Sequence, residues 1–496
     1  MKLSQGPLVS LFAEDTGVPL QQRLFDRLRG AILSGAIRPG DRLPSTRTLS
    51  RDLGVSRNTV VAAVDRLTSE GYLEARVGSG TYVSRALPEE AMAPALRLAP
   101  TPRPVRPATV PAAGAELLPF RPGVPAIDQF EVETWRKLLA KRWRDAAGLL
   151  LGSDTSGGWL PLRRTLAAHL QTSRGLDCDA EQILVLPGRT AALQLAAALV
   201  LAPGARVWVE DPGCPVQRTV LNGRGLHPVT VPVDAEGMDV DRAQRLAPDV
   251  DAALVTPGWQ FPLGGSLGMR RRQALLAWAR RSGAWIIEDD CDGGIRYSGR
   301  PLASLQGLDG GGRVLHLGCL ERTLVPALRL AWLVVPPELV GAAQALRQTL
   351  DLAVALPEQM AVHDFLAEGH FASHLRRARC AYAERQEALL TAAKRHWHGA
   401  ISLSPSPAGL HLTGRIDPGL GFADTELEAL AAAHRLELPA LSGFRQGAGE
   451  RDMVVLGYAP FTPERIGRAA ERLALVLDRA LPARRRGLFR AAVPAE

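Results

Sequence analysis

The chain has 496 residues and a formal net charge of +8, and this length predicts two or three domains. Hydrophobic residues make up 46% and charged residues 22% of the chain, which excludes fibrous and intrinsically disordered proteins. No apolar run reaches the ~18 residues of a membrane span, and the first residues lack the pattern of a secretory signal. We therefore expect a cytoplasmic protein without a membrane partner. The five cysteines form no C-x-x-C pair, which argues against a disulfide framework or a structural zinc site.

Residues 19–83 predict three helices followed by a two-stranded hairpin. Apolar residues recur at every fourth position from 20 to 32, as in a helix that buries one face. Ser45 and Ser56 each precede a shorter helix that they can cap, and Gly54 is placed to end the first of these. Strands at 72–77 and 81–83 then flank a glycine-rich turn. This order of elements is typical of a winged helix-turn-helix.

The start of the third predicted helix carries side chains suited to DNA. This end of a helix-turn-helix enters the major groove, and Arg57 and Asn58 have donors that match base edges. Phosphates would be held by nearby hydroxyl, guanidinium and backbone N–H groups, namely those of Arg47, Ser56, Thr59, Gly78, Ser79 and Gly80. Residues 1–85 contain twelve Lys or Arg and eight Asp or Glu. Because this excess is modest, a protein-interaction module is the alternative.

The composition changes after this segment. Residues 86–119 are rich in alanine and proline and predict a semi-extended linker. Beyond residue 120, strands alternate with helices, which predicts a mainly parallel sheet with crossover helices. We place the clearest strands at 183–186, 206–210, 252–256, 285–289, 314–317 and 330–335. A smaller α+β subdomain follows, so the expected boundaries are 1–85, 86–119, 120–350, 351–480 and a basic tail at 481–496.

Within the α+β subdomain, strands are expected at 410–414 and 452–458. His374 and the run Arg376–Arg379 are expected on a solvated helix face. The histidines show no metal-ligand spacing, so we expect no metal site.

The motifs LPSTR (43–47), LGVSRNTV (53–60) and GSGTYV (78–83) together resemble the DNA-binding domain of GntR-type bacterial regulators. The motifs EDPG (210–213), IIEDD (286–290) and TLVPALRL (323–330) resemble fold-type I aminotransferases, as found in the MocR subgroup of these regulators. The resemblance implies an all-α winged helix-turn-helix, then an α/β aminotransferase-like domain with a smaller α+β C-terminal subdomain. It implies double-stranded operator DNA and a second copy of the chain as partners, and it allows a small-molecule effector.

The same resemblance implies pyridoxal phosphate as the cofactor and assigns residues to it. Asp289 matches the aspartate that pairs with the pyridine nitrogen, and Arg329 matches the arginine that holds the phosphate. Arg322 stands at the position of the Schiff-base lysine, and a guanidinium cannot offer the neutral amine that attacks an aldehyde. Cys291 replaces a tyrosine that contacts the ring oxygen, and Glu321 replaces a serine that faces the phosphate. We therefore expect no covalent cofactor and no catalytic residue, with noncovalent contacts weakened.

No lysine lies between residues 142 and 393, so no other side chain of the predicted sheet replaces the missing amine. We expect a pseudo-aminotransferase; the alternative is a pyridoxal phosphate-dependent aminotransferase with an accessory DNA-binding domain. Glu321 could also pair with Arg322 or Arg329 and fill the phosphate position with an ion pair. The domain would serve dimerisation, with effector sensing as an open question.

A sensor based on thiols or a metal is a further hypothesis for this region. Cys214, Cys291 and Cys319 all fall at positions that surround the cofactor in the aminotransferases that the chain resembles. Small residues at a site without a ligand are the simpler explanation, because a reactive thiol needs a lowered pKa.

Overall fold

The computed structural model describes residues 19–76, 79–87, 116–144, 157–299, 303–310, 312–447 and 449–480. The chain divides into two compact units, on either side of residue 113. Most of the predicted linker, all of the predicted basic tail and Gly78 lie outside the described residues. Within the described ranges, no helix has the length and apolar character needed to cross a membrane.

The first unit contains the three predicted helices and the hairpin. Its elements are α1 (Leu20–Leu33), α2 (Thr46–Leu53), α3 (Arg57–Ser69), β1 (Leu73–Arg76) and β2 (Gly80–Val83). β1 and β2 are antiparallel. The helices and the hairpin enclose one apolar core, which agrees with the predicted winged helix-turn-helix.

The helix ends in this unit follow the predicted capping residues. The Ser45 hydroxyl accepts a hydrogen bond from the Thr48 N–H at 3.2 Å, and the Ser56 hydroxyl accepts one from the Thr59 N–H at 3.1 Å. Gly54 ends α2 with a φ of 66°, a left-handed conformation that glycine adopts without strain. Both predicted N-caps and the predicted stop are confirmed.

The second unit is built around a large sheet. Its helices in the first part are α4 (Val132–Arg144), α5 (Leu160–Arg174), α6 (Arg189–Val200), α7 (Pro215–Gly223), α8 (Val240–Leu246), α9 (Met269–Ser282), α10 (Leu305–Leu308) and α11 (Val340–Thr349). Its strands are β3 (Ile183–Leu186), β4 (Arg206–Asp211), β5 (His227–Asp234), β6 (Gly237–Met238), β7 (Ala252–Val255), β8 (Trp285–Asp289), β9 (Val314–Cys319) and β10 (Ala331–Val334).

The eight strands lie in the order β3-β10-β9-β8-β7-β4-β5-β6. The five strands from β9 to β5 are parallel, whereas β10 is antiparallel to both of its neighbours. The predicted mainly parallel sheet is therefore confirmed. Because parallel strands end at the same edge, the ends of β4, β8 and β9 bring Asp211, Asp289 and Cys319 to one side of the sheet.

Two strands of this sheet, β5 and the two-residue β6, were not predicted. β5 contains Pro228 and Pro232, and proline usually argues against a strand because it lacks the N–H of the ladder. β5 is followed only by the two-residue β6 at that edge, and most of its residues are half-buried. Position near an edge explains why the prolines are tolerated.

The remaining elements form the predicted α+β part. They are α12 (Leu356–Ala367), α13 (His370–His396), β11 (Ile401–Leu403), β12 (His411–Ile416), α14 (Asp424–Ala433), β13 (Met453–Gly457) and α15 (Pro463–Ala480). The three strands are antiparallel in the order β11-β12-β13. They share a core with Trp397, Phe461 and Leu473, and Phe120 from the start of the unit packs into the same core.

The expected solvated face of α13 is wrong for three of its residues, namely His374, Ala378 and Arg379. The His374 side chain is buried, and its ring nitrogens lie 2.8 Å from the Thr323 carbonyl oxygen and 3.2 Å from the Gln129 carbonyl oxygen. Arg379 is half-buried and donates to the Gly294 carbonyl oxygen at 2.9 Å. Only Arg376 is fully on the exposed side as expected, because the start of α13 packs against the large sheet's loops rather than water.

Candidate functional site

The N-terminal end of α3 presents polar side chains to solvent. Arg57 and Asn58 are its first two residues, and both are exposed, as is Arg47 on α2. None of the ion pairs in the described part of this unit includes Arg47 or Arg57. Their guanidinium groups are therefore available to an external anion or base, as a groove-reading helix requires.

The remaining predicted DNA contacts have local partners. The Ser56 and Thr59 hydroxyl oxygens lie 2.8 Å apart, so both side chains take part in the cap of α3. In the wing, the Ser79 and Tyr82 hydroxyl oxygens lie 3.0 Å apart, and Gly80 has a φ of 110°. Gly78 is outside the described residues.

In the second unit, Asp289 lies at the end of β8 and has a cation beside it. Arg189 donates from Nε to Asp289 Oδ2 at 2.8 Å and also from Nη2, and Gln217 Nε2 donates to the same oxygen at 2.9 Å. Burial would raise the pKa of Asp289, but Arg189 and Gln217 outweigh burial and hold the pKa below its usual range. Asp289 is an ionised carboxylate that is already paired.

Glu321 places a second carboxylate at the start of α6. The backbone N–H of Arg189, the first residue of this helix, donates to Glu321 Oε1 at 3.0 Å. A Cβ on Gly188 would come within 2.3 Å of the same oxygen, so the glycine permits the close approach. The free N–H groups and dipole of a helix N-terminus favour an anion, and here that anion is the Glu321 carboxylate.

The side chain at the expected lysine position is also engaged. Arg322 donates from Nε to Asp292 Oδ1 at 2.8 Å and from Nη2 to Asp292 Oδ2 at 3.1 Å, and its Nη1 donates to the Gly123 carbonyl oxygen. No ion pair among the described residues joins Glu321 to Arg322 or Arg329. The hypothesis of an internal Glu321–arginine pair is therefore wrong, because Arg322 turns to Asp292 and Arg329 is exposed.

The thiol of Cys291, near this site, is not activated. Cys291 and Cys319 are buried free thiols, and burial, with the neighbouring Cys319, raises the pKa of Cys291 well above its usual value. Cys214 Sγ lies 3.7 Å from Arg189 Nη1. Within the described ranges, no group of three His, Cys, Asp or Glu residues could hold a metal ion. A protonated thiol is a poor nucleophile and a poor metal ligand, which speaks against a sensor based on Cys291.

The role of Arg189 was missed by sequence reasoning. Nothing in the sequence motifs indicated that the Arg189 guanidinium reaches Asp289. A signal was present, because Arg189 and Glu321 add opposite charges at two positions that would both face one ligand. Opposite charges at two positions that would face the same ligand indicate that the chain's own side chains replace the ligand's contacts.

Two family models match the chain. "Bacterial regulatory proteins, gntR family" matches residues 20–83, and "Aminotransferase class I and II" matches residues 122–436. The chain is 35% identical to the probable rhizopine catabolism regulatory protein MocR of Rhizobium meliloti, over 95% of this chain and 98% of that protein. The chain belongs to the MocR subgroup of GntR-type regulators. As a member of this subgroup it is a DNA-binding transcription regulator with an aminotransferase-like domain.

Other MocR-type regulators match over nearly their full length. The pyridoxine biosynthesis regulator PdxR of Corynebacterium glutamicum is 34% identical over 90% of this chain and 92% of the relative, and TauR of Rhodobacter capsulatus is 31% identical over 95% and 99%. Among solved structures, the α-aminoadipate aminotransferase LysN of Thermus thermophilus has a TM-score of 0.67 and 26% identity, over 73% of this chain and 92% of that chain. The MocR-type fold prediction is thus confirmed.

Proposed function

We propose that the aminotransferase-like domain of this regulator is catalytically inactive and holds no pyridoxal phosphate. The observation that carries this proposal is the pairing of Asp289 with Arg189, together with Glu321 at the start of α6. Asp289 would have to pair with a protonated pyridine nitrogen, and the helix N-terminus would have to bind a phosphate. A guanidinium and a carboxylate of the chain already make these two contacts, so the residues do not fit the cofactor.

The missing amine supports the same conclusion. Arg322 stands at the expected Schiff-base position and remains protonated, because burial lowers its pKa less than Asp292 raises it. The three lysines in the described ranges, Lys137, Lys141 and Lys394, are all exposed, as expected of surface charges. An active aminotransferase with an accessory DNA-binding domain, the second candidate function, would need one of them at the end of the sheet.

A titration with pyridoxal phosphate tests this proposal. Wild-type protein is expected to show neither the yellow absorbance of an imine nor a thermal shift, and borohydride is expected to trap no adduct on a lysine. The Arg322→Lys variant alone is expected to remain inactive in transamination, since Arg189 and Glu321 still fill the site. A borohydride-stable lysine adduct in wild type, or turnover by that single variant, would overturn the proposal.

A double variant separates internal filling from a site that is merely lost. Arg189→Ala with Glu321→Ser frees Asp289 and the start of α6, so we expect this protein to gain noncovalent binding of pyridoxal phosphate. Arg322→Lys serves as the matched control, because it changes a neighbouring side chain, at constant charge, without freeing either contact. Binding by neither variant would mean that the internal charges are not what excludes the cofactor.

For the first unit we propose operator binding through α3 and the wing. Arg57 and Asn58 would read bases, and Arg47, Ser56, Thr59, Gly78, Ser79 and Gly80 would hold phosphates. The exposure and lack of ion pairs at Arg47 and Arg57 support these roles. We further propose the domain boundaries given above and a cytoplasmic homodimer on two half-sites. Light scattering of the protein, with and without a selected operator duplex, tests the dimer.

A further inference from the structure

A cavity of about 70 Å³ lies in the second unit beside the N-terminal half of α13. Helix α5 forms another wall, and the loop after β8 closes it with Gly293 and Gly294. Roughly 10–15 Å³ of such space holds one water, so there is room for several waters or one compact organic molecule. Arg189, Asp289, Glu321 and Arg329 do not line this cavity, so the paired charges of the site described above lie outside it, although the Cys291 and Cys319 side chains of that site line it as well.

The charges around the cavity do not cancel. Arg174 donates from Nε and Nη2 to the two Asp290 carboxylate oxygens at 2.6 Å each, so this acid is fully used. Arg296 and Arg379 also line the cavity, and no ion pair among the described residues joins either to a carboxylate. His169 adds no charge, since burial and then Arg379 lower the pKa of its imidazole. The wall carries an excess of positive charge.

Two buried donors beside the cavity have no acceptor. The Arg379 Nε–H and the Trp332 Nε1–H are buried without a hydrogen-bond partner among the described residues, and Trp332 is only 7% exposed. A buried donor left unpaired costs free energy, and most such groups have a partner in a native protein. Two unpaired donors and an excess of cations at one cavity both call for an anionic acceptor.

Part of the cavity lining is apolar. Leu170, Phe371 and Leu375 belong to it, and the Phe371 ring packs edge-on against His169 with centroids 5.2 Å apart. An inorganic anion would leave these side chains against water. A molecule with an apolar body and one acidic end would satisfy both the apolar and the cationic parts of the lining.

We propose that this cavity binds a compact organic acid, with its carboxylate at Arg379 and its apolar body against Leu170, Phe371 and Leu375. The carboxylate accepts hydrogen bonds from Arg379 and Trp332, because the Arg379 Nε–H and the Trp332 Nε1–H have no acceptor among the described residues. That this ligand acts as the effector of the regulator rests on the function proposed above. The binding itself does not.

Calorimetry on the full-length protein, without DNA or pyridoxal phosphate, tests the binding. The probes are benzoate and butyrate as acids, and benzamide as the neutral match of benzoate. We expect benzoate or butyrate to bind, and the acid to bind at least about tenfold more tightly than its amide, because hydrogen bonds to charged groups are stronger. Binding of neither acid by folded protein would overturn the proposal, as would equal binding of benzoate and benzamide.

Variants locate the site. Arg379→Gln is expected to weaken acid binding about tenfold or more, and Trp332→Phe, which keeps an aromatic ring, is expected to weaken it severalfold. Arg376→Gln is the matched control, because Arg376 is exposed on the same helix and does not line the cavity. If Arg379→Gln does not fold, Trp332→Phe decides. Unchanged affinity in the folded variants would show that the acid binds elsewhere.

Failure of this inference and failure of the proposed function are distinguishable. Acid binding without any DNA binding would leave the cavity assignment intact and remove the effector role. DNA binding without acid binding would leave the proposed operator binding intact and remove the cavity assignment. Acid binding that also changes the affinity for a selected operator duplex is the result expected if both are right.

Discussion

The start of α3 and the surroundings of Asp289 both concentrate polar side chains, but they direct them differently. Near the start of α3 the side chains of Arg47 and Arg57 are exposed and have no carboxylate partner among the described residues. At the end of β8, Arg189 and Arg322 are each bound to an aspartate of the same unit. A site that recognises a ligand keeps donors unpaired until the ligand arrives, whereas a site that has lost its ligand satisfies its donors internally.

The largest expected effect concerns the Asp289–Arg189 pair. Asp289→Ala leaves the Arg189 guanidinium partly buried without its carboxylate, and loss of one partner of a buried pair costs about 3–5 kcal/mol of the free energy of unfolding. All nine tryptophans lie beyond residue 130, so urea unfolding followed by tryptophan fluorescence reports on the second unit alone.

An exposed pair supplies the matched control. Asp241 lies 3.2 Å from Arg270, and both side chains are more than half exposed, so Asp241→Ala is expected to cost less than about 1 kcal/mol. Adding Arg189→Ala to Asp289→Ala should recover part of the lost stability. If Asp289→Ala costs no more than Asp241→Ala, the internal pairing is not what stabilises the emptied site.

A smaller effect is expected at Glu210, a buried carboxylate that has hydrogen bonds but no cation in the described residues. Thr256 N–H donates to it at 3.1 Å and Gln260 Nε2 at 3.3 Å, yet burial outweighs these bonds and raises the pKa of Glu210 to about 7. A folded-state pKa above the unfolded value stabilises the fold at low pH, and this contribution is lost as pH rises from about 4.5 to 7.

The measurement is the difference between wild type and Glu210→Gln as a function of pH. Each tenfold change in proton affinity is worth about 1.4 kcal/mol, so the free energy of unfolding of wild type should fall by roughly 3 kcal/mol relative to the variant between pH 4.5 and 7. The same fluorescence-detected urea titration applies. A difference that is constant over this range would show that Glu210 ionises normally.

The two units also differ in how much of them could be predicted. In the first unit, Ser45, Gly54 and Ser56 act on the backbone within a few residues, so local sequence determined where each helix starts and stops. The parallel strands were likewise predictable, because continuous apolar runs indicate buried strands. β5 was not predictable, because its two prolines are tolerated only near the edge of the sheet, and the position of a strand in the sheet depends on the folded chain.

The candidate site was predicted in part for the same reason. Asp289, Glu321 and Arg322 were found from motifs, since each occupies a fixed place in a known pattern. Their partners were not predicted. Arg189 and Asp289 are 100 positions apart in the sequence, and Arg322 pairs with Asp292 rather than with Glu321. Pairing between distant charged residues depends on side-chain direction in the folded chain, which no local pattern encodes.

At α3, Arg57→Ala is expected to weaken binding to a selected operator by about 1–3 kcal/mol if Arg57 contacts a guanine, while binding to random DNA changes less. Fluorescence anisotropy with both duplexes at one salt concentration measures the difference. Arg51→Ala is the control, because Arg51 is an exposed arginine of α2 next to Asp52. Equal loss on both duplexes would make Arg57 a phosphate contact and not a base contact.

The smallest effects compare two helix caps of the same kind. Ser45 and Ser56 each accept a hydrogen bond from a backbone N–H three residues on, so Ser45→Ala and Ser56→Ala should each destabilise a helix by about 1 kcal/mol. Hydrogen exchange of α2 and α3 in the intact protein measures this loss. Only Ser56 is proposed to hold a phosphate as well, so only Ser56→Ala should also reduce affinity for DNA of any sequence. Equal DNA affinity of the two variants would assign Ser56 to the helix cap alone.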